Sequence, residues 1–83
     1  MQADIVLPDL GTNVVRLSLW LADRGDSVYE GDCLAEVLVA GATFDVASPA
    51  SGDLVEKFAF PDDLLRPGQL LGRVEVDEEE GNP

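Results

Sequence analysis

The sequence predicts an all-β protein, and three observations carry that prediction. Apolar residues come in short alternating or near-continuous runs instead of recurring every three or four positions as on a helix. Eight glycines and five prolines punctuate those runs, which suits many short strands joined by turns. The chain also repeats itself at a spacing of 37 residues. Its 83 residues, 46% of them hydrophobic, leave room for a single core.

The elements follow in order. Asp4 to Leu7 is a short apolar run closed by Pro8, which cannot donate to a strand ladder. Val14 to Ala22 reads VVRLSLWLA: Leu17, Leu19 and Leu21 alternate with Ser18, Trp20 and Ala22. Both faces of that strand therefore carry apolar groups, and one is expected to be covered by a partner. The Arg24-Gly25-Asp26 and Glu30-Gly31-Asp32 turns flank a short extended piece around Val28. Cys33 to Val39 is almost continuously apolar and Thr43 to Ala47 alternates, the two folded about a small turn at Ala40-Gly41. Gly41 supplies the positive φ that a tight hairpin needs. After the turn at Pro49 to Gly52 come Leu54 to Phe60, a turn at Pro61-Asp62-Asp63, an extended piece around Leu65, the Arg66-Pro67-Gly68 turn, and Leu70 to Val76. Six strands and two short pieces suit a small sandwich or barrel. Residues 1–76 form the domain, and the like-charged DEEEGNP of 77–83 reads as an acidic disordered tail.

Sliding the chain by 37 residues lays Arg24 to Val37 over Pro61 to Val74. Asp26 then meets Asp63, Val28 meets Leu65, Gly31 meets Gly68, Leu34 meets Leu71 and Val37 meets Val74. Neither half can bury its apolar face alone, so the two are expected to pack with approximate twofold symmetry. Val37, Leu34, Val46, Leu54, Leu71 and Val74 are the expected core. Asp26 and Asp63 are expected to accept turn hydrogen bonds, and Asp62 to tolerate a left-handed backbone.

Composition narrows the function. Seventeen acidic residues against five basic ones give a formal charge of -12, which repels phosphate backbones and anionic lipid. No signal peptide and no apolar stretch long enough to span a membrane is present, so a cytoplasmic protein is expected. Without histidine and with Cys33 alone, an internal disulfide and a zinc site are both excluded. Cys33 reads as a small buried hydrophobe, Trp20 as half-buried packing, and Asp62-Asp63 as turn residues instead of an acid/base pair. No catalytic constellation emerges.

Four stretches carry a family resemblance: VLPDLG at 6–11, LWLADRGDSVYEGDCLAEV at 19–37, ATFDVASPASG at 42–52 and RPGQLLGRVEV at 66–76. In this order they resemble the biotinyl/lipoyl attachment domain, and more closely its lipoyl branch. The resemblance implies a flattened β barrel or barrel-sandwich hybrid of two four-stranded sheets with quasi-twofold symmetry. It also implies an Asp-Lys-Ala hairpin turn whose lysine carries lipoate in a 2-oxo acid dehydrogenase complex; biotinyl members use Met-Lys-Met. Flanked by LAEV at 34–37 and ATFDVASP at 42–49, those three positions fall without a gap on Ala40, Gly41 and Ala42. The attachment lysine is thus replaced by glycine, and the degenerate turn is expected to bind no cofactor. The chain's single lysine, Lys57, falls in the strand VEKFAF, opposite Trp20 in the repeat. Thr12-Asn13-Val14-Val15 also departs from the family pattern. Two readings follow. Either the chain is a lipoyl-like module that works by binding a protein, such as a dehydrogenase-complex component or an enzyme that recognises lipoyl domains, or it is a carrier domain whose lysine has been substituted.

Overall fold

Residues 1–12 and 14–77 are described by a computed structural model, in which the short apolar runs form eight strands. These are β1 (Gln2–Val6), β2 (Val15–Trp20), β3 (Ser27–Val28), β4 (Cys33–Val39), β5 (Ala42–Ala47), β6 (Gly52–Lys57), β7 (Leu64–Leu65) and β8 (Leu70–Val76). The extended pieces around Val28 and Leu65 are paired strands in their own right. Two four-stranded antiparallel sheets result, ordered β1-β8-β6-β3 and β5-β4-β2-β7. The strand from Leu54 is displaced from its expected bounds. It begins at Gly52, which pairs with Val28 and Val76, and ends at Lys57, before the chain bends into the turn at Phe60–Asp63. Of the expected acidic tail, only Asp77 belongs to the described residues, its N–H donating to the Ser51 carbonyl at 3.1 Å; residues 78–83 lie outside them.

The repeat is a symmetry of the fold. β2, β3 and β4 match β6, β7 and β8 at the 37-residue spacing, and exchanging the halves carries one sheet order onto the other. β1 and β5 match with a different offset: Ile5 stands opposite Gly72 as Val46 stands opposite Ala35.

Four turns use one device twice over. The N–H groups of Asp23, Phe60 and Tyr29 donate to the carboxylates of Asp26, Asp63 and Asp32 at 2.8 to 2.9 Å, and that of Arg66 donates to the Gln69 side chain at 2.9 Å. Asp62, at φ 75°, holds the left-handed position that Gly25 holds in the first half, at φ 95°.

The strand carries apolar groups on both faces as expected, but a β-bulge corrects which residues share a face. Leu17 pairs with Val37 but Leu19 pairs with Glu36, so the register shifts at Ser18 and every later side chain changes face. Leu17 points into the core, whereas Trp20 and Ala22 pack against it from beyond the bulge and Leu19 and Leu21 are exposed. β6 repeats the bulge between Leu54 and Glu56. All six expected core residues are buried, joined by Ile5, Leu7, Val15, Leu17 and Leu65. Each large aliphatic side chain so buried contributes about 1.5–3 kcal/mol from removed apolar surface.

Candidate functional site

β4 and β5 are adjacent in the second sheet, and Val39 opposite Ala42 closes them around a two-residue loop. Both loop residues are left-handed, Ala40 at φ 51° and Gly41 at φ 84°, the type I′ geometry whose twist matches that of the flanking strands. The turn expected at Ala40-Gly41 is therefore present, and Gly41 occupies the position where glycine is favoured. Ala40 adopts φ > 0 at a cost of about 1 kcal/mol. Ala40, Gly41 and Ala42 are all exposed, and a Cβ added at Gly41 would meet no atom within 4 Å. The hairpin thus projects a tip with ample room and no functional group: its side chains are a methyl, a hydrogen and a methyl. Behind it Val39 is buried, Phe44 is half-exposed, and Thr43 supplies a hydroxyl.

Lys57, the one lysine of the sequence, is not presented at this tip. It ends β6 instead of lying mid-strand; its side chain is only 15% exposed, with Nζ 3.5 Å from Asp23 and 5.0 Å from the Trp20 ring centroid. Trp20 is fixed in turn by a 2.9 Å hydrogen bond from Nε1 to the Ala59 carbonyl. Ion pair, cation–π contact and packing together hold the ammonium against the domain.

The remaining sequence candidates are dispersed. Cys33, at the start of β4, donates to the Ala35 carbonyl at 3.4 Å. Its thiol pKa is pushed up, first by burial and then by the Asp45 side chain, so the thiolate a nucleophile needs is disfavoured. Asp62 and Asp63 serve their turn. The open groove lined by Leu21, Ser27, Cys33 and Leu34, about 450 Å³ in volume, includes Asp26 and Asp32, the same carboxylates that accept the turn hydrogen bonds. Among the described residues, no three His, Cys, Asp or Glu side chains gather as a metal site, and no helix is long and apolar enough to cross a membrane.

One arrangement went unread at the level of sequence. Arg73, on β8, donates from Nε to Asp4 and from Nη1 to Glu56, each at 3.2 Å, and its guanidinium lies 5.3 Å from the Phe58 ring centroid. Its pKa is raised, chiefly by the Asp4 hydrogen bond. The signal was available in the repeat, which sets Glu36 against Arg73 and so reverses a charge between equivalent positions.

Comparison with known proteins adds to this geometry. A family model described as "Biotin-requiring enzyme" matches residues 3–74. The chain is 35% identical over 75 residues to the lipoamide acyltransferase component of the branched-chain alpha-keto acid dehydrogenase complex of Pseudomonas aeruginosa, covering 88% of this chain and 18% of that protein. It is 32% identical over 73 residues to the dihydrolipoyllysine-residue acetyltransferase component of the pyruvate dehydrogenase complex of Corynebacterium glutamicum, covering 86% and 11%. The chain thus spans less than a fifth of the length of these relatives. The solution structure of the lipoyl domain of the 2-oxoglutarate dehydrogenase complex from Azotobacter vinelandii shares the fold, with a TM-score of 0.71 and 21% identity over 89% of this chain and 98% of that one.

Proposed function

We propose that this chain, which belongs to the biotinyl/lipoyl attachment-domain family, is a lipoyl-type module that carries no lipoyl group at its hairpin and acts by binding protein. The observation that carries the proposal is the tip itself. Lipoate is joined to this family through an amide, which requires a primary amine on the protein. Ala40, Gly41 and Ala42 offer none, so the residues present do not fit the group. The one lysine of the sequence is held between Asp23 and Trp20 on another strand.

The matched relatives are components of 2-oxo acid dehydrogenase complexes, and the region they share with this chain is a small part of each. That supports a non-catalytic module working in or beside such an assembly, its partner a complex component or an enzyme that recognises lipoyl domains. A second reading, a carrier domain that has exchanged its lysine for glycine, draws support from the open space around Gly41.

Intact-mass analysis after co-expression with a lipoate ligase tests the proposal. The protein is expected to gain no lipoyl mass, whereas Ala40→Asp with Gly41→Lys, which rebuilds an amine at the tip, is expected to be at least partly lipoylated. A lipoyl increment on the unaltered protein, at Lys57 or elsewhere, would overturn the binding-module reading.

A further inference from the structure

The symmetry of the fold provides an internal control for the outer faces of the two sheets. On the β1-β8-β6-β3 sheet, Asp4, Arg73 and Glu56 stand in one cross-strand row, and Arg73 joins both carboxylates while its guanidinium lies over Phe58. One cation serves two acids. The equivalent row on the other sheet is Asp45, Glu36 and Leu19, and Leu21 takes the place of Phe58.

There Glu36 stands at the position of the cation and faces Asp45 directly across the strands. Like charges placed directly opposite destabilise a sheet, and among the described residues no lysine or arginine forms an ion pair with either acid. Arg16, on the same sheet, lies in the next row opposite Leu38 and donates Nη1 to the Asp62 carbonyl at 3.1 Å. Around the acids, Leu19, Leu21 and Leu38 are 38%, 52% and 39% exposed. A fold that solves this row on one sheet leaves it repulsive, and edged with leucine, on the other.

We infer that the Glu36–Asp45 row is a docking surface for a protein segment presenting an arginine or lysine between apolar side chains, the partner's cation taking the place that Arg73 takes on the opposite sheet. The inference rests on the binding-module reading and gives that partner a chemistry. Charge complementarity selects the occupant: phosphate-rich surfaces are repelled by an acidic row on a protein of net charge -12, and a bare metal ion would leave the leucines unused. A guanidinium offers a planar fork to two carboxylates, as Arg73 does, and apolar flanks would exclude water from the pair.

The probe is a synthetic octapeptide of alternating arginine and leucine, titrated into the isotopically labelled domain and followed by amide chemical shifts at moderate salt. Shifts are expected to concentrate on Leu19, Glu36, Leu38 and Asp45. Binding is expected to weaken about fivefold in Glu36→Gln and again in Asp45→Asn, to be unchanged in Glu30→Gln, and to vanish for the peptide with glutamate in place of arginine. Glu36→Arg, which imitates Arg73, is expected to abolish binding and raise the melting temperature by about 2–4 °C. Shifts spread over the whole acidic surface, no shifts at all, binding indifferent to Glu36→Gln, or a Glu36→Arg variant that melts below the parent would each overturn the assignment. These outcomes are separable from failure of the module reading, which is decided by the lipoyl mass of the unaltered protein.

Discussion

Leu34 and Leu71 occupy equivalent places in the two halves, as do Glu36 and Arg73 two residues further along the same strands. The first pair is identical and wholly buried; the second is opposite in charge and faces outward. Close packing explains the difference. An interior position is fixed by neighbours on every side, so at equivalent interior places the two halves keep small or aliphatic residues, several of them identical, along with the same bulges and the same pattern of turn hydrogen bonds. An outward position is constrained only by its cross-strand neighbours, and there the halves have diverged into a neutralised row and a repulsive one. The surface divergence, against a shared interior, is where binding specificity can reside.

The largest expected effect tests the shared interior. Leu34→Ala and Leu71→Ala should each cost about 2–5 kcal/mol, enough to unfold much of a domain this small, and urea denaturation should find the two costs within about 1 kcal/mol of each other. A mild change in one and a severe change in the other would show that the core is less symmetric than its backbone. A smaller effect is expected at the turns. Asp26→Ala and Asp63→Ala each remove a carboxylate that accepts a backbone N–H, at about 1 kcal/mol. Asp63→Ala should cost the more, because its turn also holds Asp62 at φ 75° where the first half has glycine. Equal costs would remove Asp62 as a source of asymmetry.

The smallest effect lies at the end of the β1–β8 pair, where the two halves differ by a charge from the chain itself. The N-terminal ammonium lies 2.9 Å from Glu75, and that hydrogen bond, with a second from Gln2, lowers the Glu75 pKa below 4.5. A carboxylate lowered in the folded state contributes stability above its unfolded pKa and loses it as pH falls through the folded value. The melting temperatures of the parent and Glu75→Gln should therefore coincide at low pH, separate slightly as pH rises toward the ordinary glutamate value of about 4.3, and keep that gap above it. A gap that widens toward acid would reverse the assignment.

Much of this fold is legible in the sequence because glycine, proline and aspartate mark the turns and the repeat exposes the pairing of halves. The hairpin tip is legible for the same reason: LAEV and ATFDVASP leave only one place for it. The bulge at Ser18 is hidden, since VVRLSLWLA alternates without a break, and a one-residue slip is invisible until Leu17 and Leu19 are matched to Val37 and Glu36. Equally hidden is the pinning of Lys57, which depends on Trp20 of the other sheet and on Asp23 in the turn that follows it. The Arg73 row is the intermediate case, because its residues are distant in sequence yet the repeat marks the position where the charge reverses.

One consequence of the symmetry concerns connectivity. Exchanging the halves carries β4 and β5 onto β8 and β1, and there the Val76 N–H donates to the Met1 carbonyl at 2.8 Å. Met1 thus stands beside Val76 as Ala42 stands beside Val39, and Ala40-Gly41 is the loop at the other pole. A circular permutant opened between Ala40 and Gly41, with a short glycine-rich segment joining Val76 to Met1, preserves every strand pairing and simply moves the break from one pole to the other. In that rearranged molecule the tip that lacks an amine side chain would acquire one of another kind, the α-amino group of a new first residue.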